Sequence, residues 1–177
     1  MSEQDRPADT QQDENKLIAE RRAKLAQLRE LGKPFPNDFR RTALAADLQS
    51  QYGECSKVEL EQAGQEYAVA GRLIRNRGAF LLIQDDGGQI QLYIDRKGLD
   101  ENTLAQVRGW DLGDIVAARG TIQKSGKGDL YINMAEARLL TKALRPLPDK
   151  CHGLADQEMR YRPRHVDLIV NPVSGKV

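Results

Sequence analysis

The stretch GAFLLIQDDGGQIQLYIDR, residues 78–96, decides the fold. Two segments of alternating apolar pattern flank the polar, glycine-rich turn DDGGQ, which is typical of a β-hairpin. Side chains alternate along a strand, so a core-facing Leu81 and Ile83 place Phe80 on the outer side. The same alternation in the second strand places Gln91 outward. The hairpin therefore exposes an aromatic ring and an amide on one side.

This pair of side chains suits single-stranded nucleic acid. A ring can stack on a base while a neighbouring amide hydrogen-bonds its Watson–Crick edge, and stacking is worth about 1–3 kcal/mol per base. A second interpretation is that Phe80 closes the end of a barrel or packs under the N-terminal helix. The pattern leaves both interpretations open.

Further β-forming segments extend outward from the hairpin. The five predicted strands cover residues 66–77, 79–85, 89–95, 114–124 and 129–140. The segment at 98–113, between the third and fourth strands, has the length of one short helix. Five strands with a helix in that place follow the order of an OB-fold, a small Greek-key barrel. The prediction is a mainly β fold, with the five-stranded OB-fold barrel at residues 64–145.

The chain before the barrel is predicted to be helical. Residues 1–15 hold few apolar side chains and are predicted to be disordered, and residues 16–63 form a helical extension. The extension opens with an amphipathic helix, for which a solvated basic side is favoured over a nucleic-acid contact. Two short helices follow at residues 42–51 and 56–62, the second beginning with a Ser–Glu capping box.

Composition narrows the function. The 177 residues are 40% hydrophobic and 30% charged, as in a globular domain, and the net charge of +1 does not by itself indicate nucleic-acid binding. Cys55 and Cys151 lie far apart without ligand spacing, so no metal is expected. Without a secretory leader or membrane span, the expected location is the cytoplasm.

Catalytic patterns are scarce. The histidines, His152 and His165, lie in the C-terminal segment, where no Ser–His–Asp or Cys–His arrangement can be assembled from the barrel strands. The turn SGKG lacks the spacing of a phosphate-binding loop. Asp85 and Asp86 sit in the glycine-rich turn, where carboxylates favour local turn bonding. The sequence therefore predicts no active site.

Four segments carry a resemblance to a known family. AVAGRLIRNRGAFLLIQDDGGQIQLYIDR, WDLGDI, LLTKALRPLPDK and HGLADQEMRYR resemble the N-terminal part of bacterial class II lysyl-tRNA synthetases. The resemblance implies an OB-type anticodon-binding domain joined by a hinge to a catalytic domain. Residues 146–177 would be that hinge and the incomplete start of the catalytic domain. The resemblance further implies that the complete enzyme is a homodimer that attaches lysine to tRNA with ATP and Mg.

The resemblance also assigns roles to residues. Phe80 matches the aromatic residue that stacks on the middle anticodon base, and Gln91 the glutamine that hydrogen-bonds that base. Arg77 matches an arginine that reads the same uridine, and Glu136 an acidic residue that recognises a neighbouring base. Basic residues of the first helix become candidates for the tRNA backbone: Arg21, Arg22, Lys24 and Arg29.

Two departures from the family affect these roles. The connection between Arg77 and Phe80 is shorter than the family's, so the position that the family arginine takes beside the uridine does not carry over directly to Arg77. Glu136 shares the parity of Ile132 and Met134, which are predicted to face inward, so a β-bulge is needed to turn it outward.

The family's catalytic motifs would lie beyond Val177, and Pro163 and His165 differ from the expected residues near the start of the catalytic domain. The chain alone is therefore expected to hold no cofactor and to have no ligase activity. Two alternatives stay open. Either a separate catalytic half completes the synthetase, or the chain is a stand-alone OB-fold protein that binds single-stranded nucleic acid or a protein.

Overall fold

The computed structural model describes residues 6–32 and 35–147, with side chains from residue 12 onward. The helices are α1 (Arg6–Glu30), α2 (Ala45–Tyr52), α3 (Lys57–Ala63) and α4 (Glu101–Arg108). The strands are β1 (Glu66–Arg77), β2 (Phe80–Gln84), β3 (Gln89–Tyr93), β4 (Ile115–Lys124) and β5 (Leu130–Thr141). In this part of the chain, no helix is both long and apolar enough to cross a membrane. Predictions for residues 1–5, 33–34 and 148–177 lie outside the described residues.

The five strands form a closed barrel in the order β1-β2-β3-β5-β4, with α4 between β3 and β4 along the chain. All neighbouring pairs are antiparallel except β3 and β5. The OB-fold prediction is confirmed. Each predicted strand lies within two residues of the observed one at either end, because alternation with a fully apolar inner side is a strong local signal.

Apolar side chains from all five strands fill the barrel. The largest fully buried ones on the strands are Val69, Leu73, Leu81, Ile83, Ile90, Leu92, Val116, Ile122, Ile132 and Met134. The predicted orientation of the hairpin is confirmed, since its inward positions are fully buried while Phe80 and Gln91 keep exposed surface.

Two β-bulges change which side chains face outward. In β1 the register moves from Leu73 opposite Ile83 to Arg75 opposite Leu82, so one extra residue resets the alternation. In β5 the register moves from Met134 opposite Gly120 to Glu136 opposite Arg119. The bulge predicted before Glu136 is therefore present.

The N-terminal region differs in part from the prediction. Helix α1 begins at Arg6, so the prediction of disorder is corrected for residues 6–15. This segment contains Ala, Gln and Glu, which are favourable helix formers, and extending a helix is far less costly than nucleating one. An apolar face is thus unnecessary for its first turns.

The short helices α2 and α3 are confirmed. The Ser56 backbone N–H donates to Glu59 Oε2 at 2.7 Å, and the Glu59 backbone N–H donates to Ser56 Oγ at 3.3 Å. This is the predicted capping box at the start of α3. Helix α2 is held at its first turn by the barrel, where the Ala45 N–H donates to Asp85 Oδ2 at 2.8 Å.

Candidate nucleic-acid interface

Strand register aligns the outward side chains in two rows across the barrel. Directly paired residues share one side of a sheet, with Cβ atoms about 4.5–5.5 Å apart. The first row contains Arg77, Phe80, Tyr93 and Asn133. The second row contains Arg75, Leu82, Gln91, Tyr131 and Gln123. We call these two rows together the outer face.

Three aromatic rings pack together at the centre of the outer face. The ring centroids of Phe80 and Tyr93 are 5.0 Å apart, and Tyr131 lies 5.7 Å from each of the other two. The Tyr131 ring stands at 89° to Phe80 and at 62° to Tyr93, in the edge-to-face geometry that aromatic pairs prefer. All three residues are partly buried, so the rings support one another and keep exposed surface.

Gln91 and Arg77 are polar neighbours of this aromatic cluster. Gln91 is paired with Leu82 on β2 and with Tyr131 on β5, so its amide emerges beside the rings. Arg77 is exposed and lies directly opposite Phe80 across the tight turn between β1 and β2. Gly78 allows this turn because its φ of 70° is disfavoured for other residues. The shortened connection therefore keeps Arg77 beside Phe80.

Glu136 faces outward but stands apart from the rings. It lies three positions beyond Asn133 on β5, roughly 10 Å along the strand. Its Oε1 is 3.0 Å from Arg138, which also bridges to Asp38 at 3.0 Å. The hydrogen bond to Asp38, followed by the charge of Glu136, raises the pKa of Arg138. Glu136 is thus held in an ion-pair chain at a second point of β5.

The basic side of α1 is divided between structural and exposed residues. Arg21 is buried and donates hydrogen bonds to the carbonyl oxygens of Ala143 at 3.2 Å and Arg145 at 3.0 Å. Lys24 binds both carboxylate oxygens of Asp111, at 2.8 and 3.0 Å. Arg21 and Lys24 therefore both dock α1 against the rest of the chain, and their contact with the tRNA backbone stays a prediction.

Arg22 and Arg29 stay exposed on α1. Arg22 also lines a groove of about 600 Å³ between α1 and the segment after β5, to which Arg145 contributes. The helix thus presents arginines beside its docked side, where they are accessible to a polyanion.

A buried ionic cluster lies near this docking point and has no counterpart in the sequence prediction. The ammonium of Lys142 is 2.8 Å from Asp114 and also contacts Asp111. The side chains of Lys142 and Asp114 are 1% and 0% exposed. Burial raises the pKa of the Asp111 carboxyl, but hydrogen bonds from Lys142 and Lys24 outweigh burial and hold that pKa below its ordinary value.

The turn of the hairpin is structural, as predicted. Asp85 Oδ1 accepts from the backbone N–H groups of Gly87 at 2.8 Å and Gly88 at 3.0 Å. Its other oxygen holds α2, as described above. Among the described residues no group of three or more His, Cys, Asp or Glu side chains is placed to hold a metal ion.

Tyr131 and Gln123 are residues of the outer face that the sequence analysis did not single out. The Tyr131 hydroxyl donates to Gln123 Oε1 at 2.9 Å. Burial, followed by the charges of Glu61 and Tyr93, raises the pKa of Tyr131, so its hydroxyl stays protonated at neutral pH. The alternation of Leu130, Tyr131 and Ile132 is the sequence signal that would have identified the tyrosine as outward-facing.

A closed five-stranded barrel whose outer face carries stacked aromatic rings, an amide and arginines has the features of an OB-fold nucleic-acid-binding protein. Residues 67–140 match the tRNA anti-codon family, described as an OB-fold nucleic acid binding domain. This part of the chain is therefore similar to that family in sequence as well as in fold.

The similarity to bacterial lysine–tRNA ligases covers nearly the whole chain. The chain is 60% identical to the enzyme of Chromohalobacter salexigens and 61% identical to that of Teredinibacter turnerae, each over 172 residues. These matches cover 94% and 97% of this chain and 34% of each relative. The resemblance to the N-terminal region of this enzyme family is confirmed. The chain spans about a third of the length of the curated relatives it matches.

Proposed function

We propose that this chain binds the anticodon of a lysine tRNA as the N-terminal part of a lysyl-tRNA synthetase. The observation that supports the proposal is that three side chains share the outer face: Arg77 is directly paired with Phe80, and Gln91 lies in the adjacent row on the next strand. Attachment of lysine, with its requirement for ATP and Mg and its homodimer, is proposed for the complete enzyme only.

The chemistry of uridine fits these three side chains. Its imide edge offers one N–H donor between two carbonyl acceptors, and a glutamine amide can pair with both kinds of group. The guanidinium of Arg77 can donate to a carbonyl oxygen, while the Phe80 ring stacks on the base. Cytosine presents an amino donor and lacks the imide N–H, so the same arrangement would leave polar groups unpaired.

The decisive experiment compares two stem-loops in binding to the full chain. A lysine anticodon stem-loop is expected to bind more tightly than the same loop with cytidine at the middle position, by about 1–3 kcal/mol. Phe80→Ala is expected to weaken binding of the first loop by about 1–3 kcal/mol, which is the stacking contribution. Fluorescence anisotropy at fixed salt measures both differences.

The matched control is Phe39→Ala, which truncates a partly buried phenylalanine before α2. Affinity should then stay at the wild-type value while thermal melting reports any loss of stability. Equal binding of the two stem-loops by the wild-type chain would reject anticodon reading and favour the stand-alone OB-fold alternative.

The exposed arginines of α1 are assigned to the phosphate backbone in this proposal. The double variant Arg22→Gln and Arg29→Gln is expected to flatten the dependence of log K on log salt by about 0.7–0.9 for each phosphate that is no longer neutralised. Titrations at a series of salt concentrations measure the slope. Arg108→Gln on α4, another exposed arginine, serves as the control. An unchanged slope in the double variant would exclude these two arginines from the interface.

A further inference from the structure

We propose that Tyr131, held by Gln123, forms a second stacking subsite for the unpaired base next to the middle anticodon base. This inference rests on the proposed function and deepens it. It adds to the outer face a binding residue on β5, the strand that follows the hairpin in the barrel order.

The position of Tyr131 is the first argument. It is directly paired with Gln91, so the amide proposed to read the middle base lies between Leu82 and Tyr131. The Tyr131 ring is 5.7 Å from Phe80 and so lies within the span of adjacent nucleotides. Successive bases of an unstacked strand are commonly held on successive aromatic rings in this manner.

The orientation of the rings is the second argument. The planes of Phe80 and Tyr131 meet at 89°. Bases stacked on these two rings therefore cannot stack on each other, so the ligand must be an unpaired strand with splayed bases rather than a regular helix. Recognition of single-stranded loops depends on such splaying.

The hydroxyl of Tyr131 supplies the third argument. Its proton is directed to Gln123 Oε1, at 2.9 Å, which leaves the oxygen lone pairs to accept a hydrogen bond. An imide or amino N–H of the neighbouring base is a suitable donor. Gln123 also fixes the ring, so little side-chain freedom is lost when a base stacks on it.

The charge of the outer face favours nucleic acid over another occupant. The β1 bulge turns Arg75 into the row that contains Gln91 and Tyr131, and Arg77 into the row of Phe80. Both arginines are exposed. The row that contains Gln91 and Tyr131 therefore ends in a cation, Arg75, that is free of a base-reading role in the proposed function, as expected where a phosphate backbone follows the edge of the site.

The test uses the full chain with three stem-loops: the complete lysine anticodon loop and two loops that each lack one base flanking the middle position. Tyr131→Leu is expected to weaken binding of the complete loop roughly tenfold. For the loop that lacks the base stacked on Tyr131, the substitution should not weaken binding beyond the loss that removal of the base already causes. For the other abasic loop, it should weaken binding about tenfold, as it does for the complete loop. Tyr131→Phe keeps the ring and should stay within about threefold of wild type, the small loss expected for one hydrogen bond.

The abasic loops separate direct stacking from an indirect role. If Tyr131 merely supports Phe80, Tyr131→Leu will weaken all three complexes equally, and that result would overturn the second subsite. An unchanged affinity for the complete loop would overturn it as well. The proposed function fails on a different result, namely that the wild-type protein binds the loops with middle uridine and middle cytidine equally. In that case the loss of affinity caused by Tyr131→Leu can still be compared between the two abasic loops.

Discussion

Lys142→Met is expected to lower the free energy of unfolding by about 3–5 kcal/mol. The change removes the ammonium that pairs with Asp114 at 2.8 Å and leaves a carboxylate with no exposed surface facing an apolar side chain. Breaking a buried ion pair by removing one partner is costly because the remaining charge stays desolvated and uncompensated. Urea denaturation monitored by circular dichroism measures the difference.

The cluster has a large effect because it joins three separate parts of the chain. Lys142 follows directly after β5, Asp111 and Asp114 lie between α4 and β4, and Lys24 comes from α1. The Ala143 N–H also donates to Asp114 at 2.8 Å. Loss of Lys142 therefore weakens the attachment of the segment that follows β5 and, through Asp111, the docking of α1.

Lys24→Met is the matched control for this prediction. Lys24 pairs with Asp111 at 2.8 Å, but its side chain is 42% exposed, so the expected loss is about 0–1 kcal/mol. The double variant Lys142→Met and Asp114→Asn should recover part of the loss, because the amide removes the uncompensated charge. Equal destabilisation by Lys142→Met and Lys24→Met would contradict the assignment of Lys142 to a buried ion pair.

The same cluster predicts a dependence on acid. The pKa of Asp111 is raised by burial and lowered more strongly by its two lysines, so it lies below the unfolded value. A group with a lowered folded pKa contributes stability above its unfolded pKa, and this contribution is lost as pH falls through the folded value. The stability of Lys142→Met should therefore fall less steeply below about pH 4 than that of the wild type.

The sequence predicted the strands and the outward position of Phe80 and Gln91 because both follow from local alternation. The alternation with a period of two is visible in the hairpin sequence alone, so it can be recognised without knowing the neighbouring strands. The capping box of α3 is local in the same way, since Ser56 and Glu59 satisfy each other's backbone N–H groups. These features were therefore predictable from single segments.

Features that depend on two distant segments were harder to predict. The extra residue in β1, which turns Arg75 outward, is defined only by the partner strand β2. The burial of Arg21 depends on carbonyl oxygens more than a hundred positions away, at Ala143 and Arg145. Spacing along α1 shows that a basic side exists, but cannot show which of its residues contact the barrel.

Glu136 is an intermediate case. Its parity in the sequence conflicted with the role that the family resemblance assigned to it, and that conflict predicted a bulge. The register of β4 and β5 contains the bulge, with Ala137 buried beyond it. A disagreement between a local pattern and a family role therefore located an irregularity that the pattern alone would have missed. Whether Glu136 reads a base stays a prediction.

Gly120→Ala is expected to cost about 3 kcal/mol or more of stability, at the upper end of the range for overpacking. Gly120 lies on β4 opposite Met134, where the β5 bulge begins. A Cβ at this position would stand 1.8 Å from the Asn133 carbonyl oxygen. The obstructing atom belongs to the backbone of the neighbouring strand, so relief requires β4 and β5 to separate and not a simple change of side-chain rotamer.

The effect should extend to RNA binding, because Asn133 belongs to the outer face and Glu136 follows the bulge. Denaturation curves measure the stability loss, and anisotropy titrations under conditions where the variant remains folded measure the loss of affinity. Gly126→Ala is the matched control, since a Cβ there meets nothing within 4 Å and its φ is not positive. Its stability should stay within about 0.5 kcal/mol of wild type. Equal stability of the two alanine variants would show that a Cβ at Gly120 is accommodated without separating β4 and β5, which contradicts the prediction.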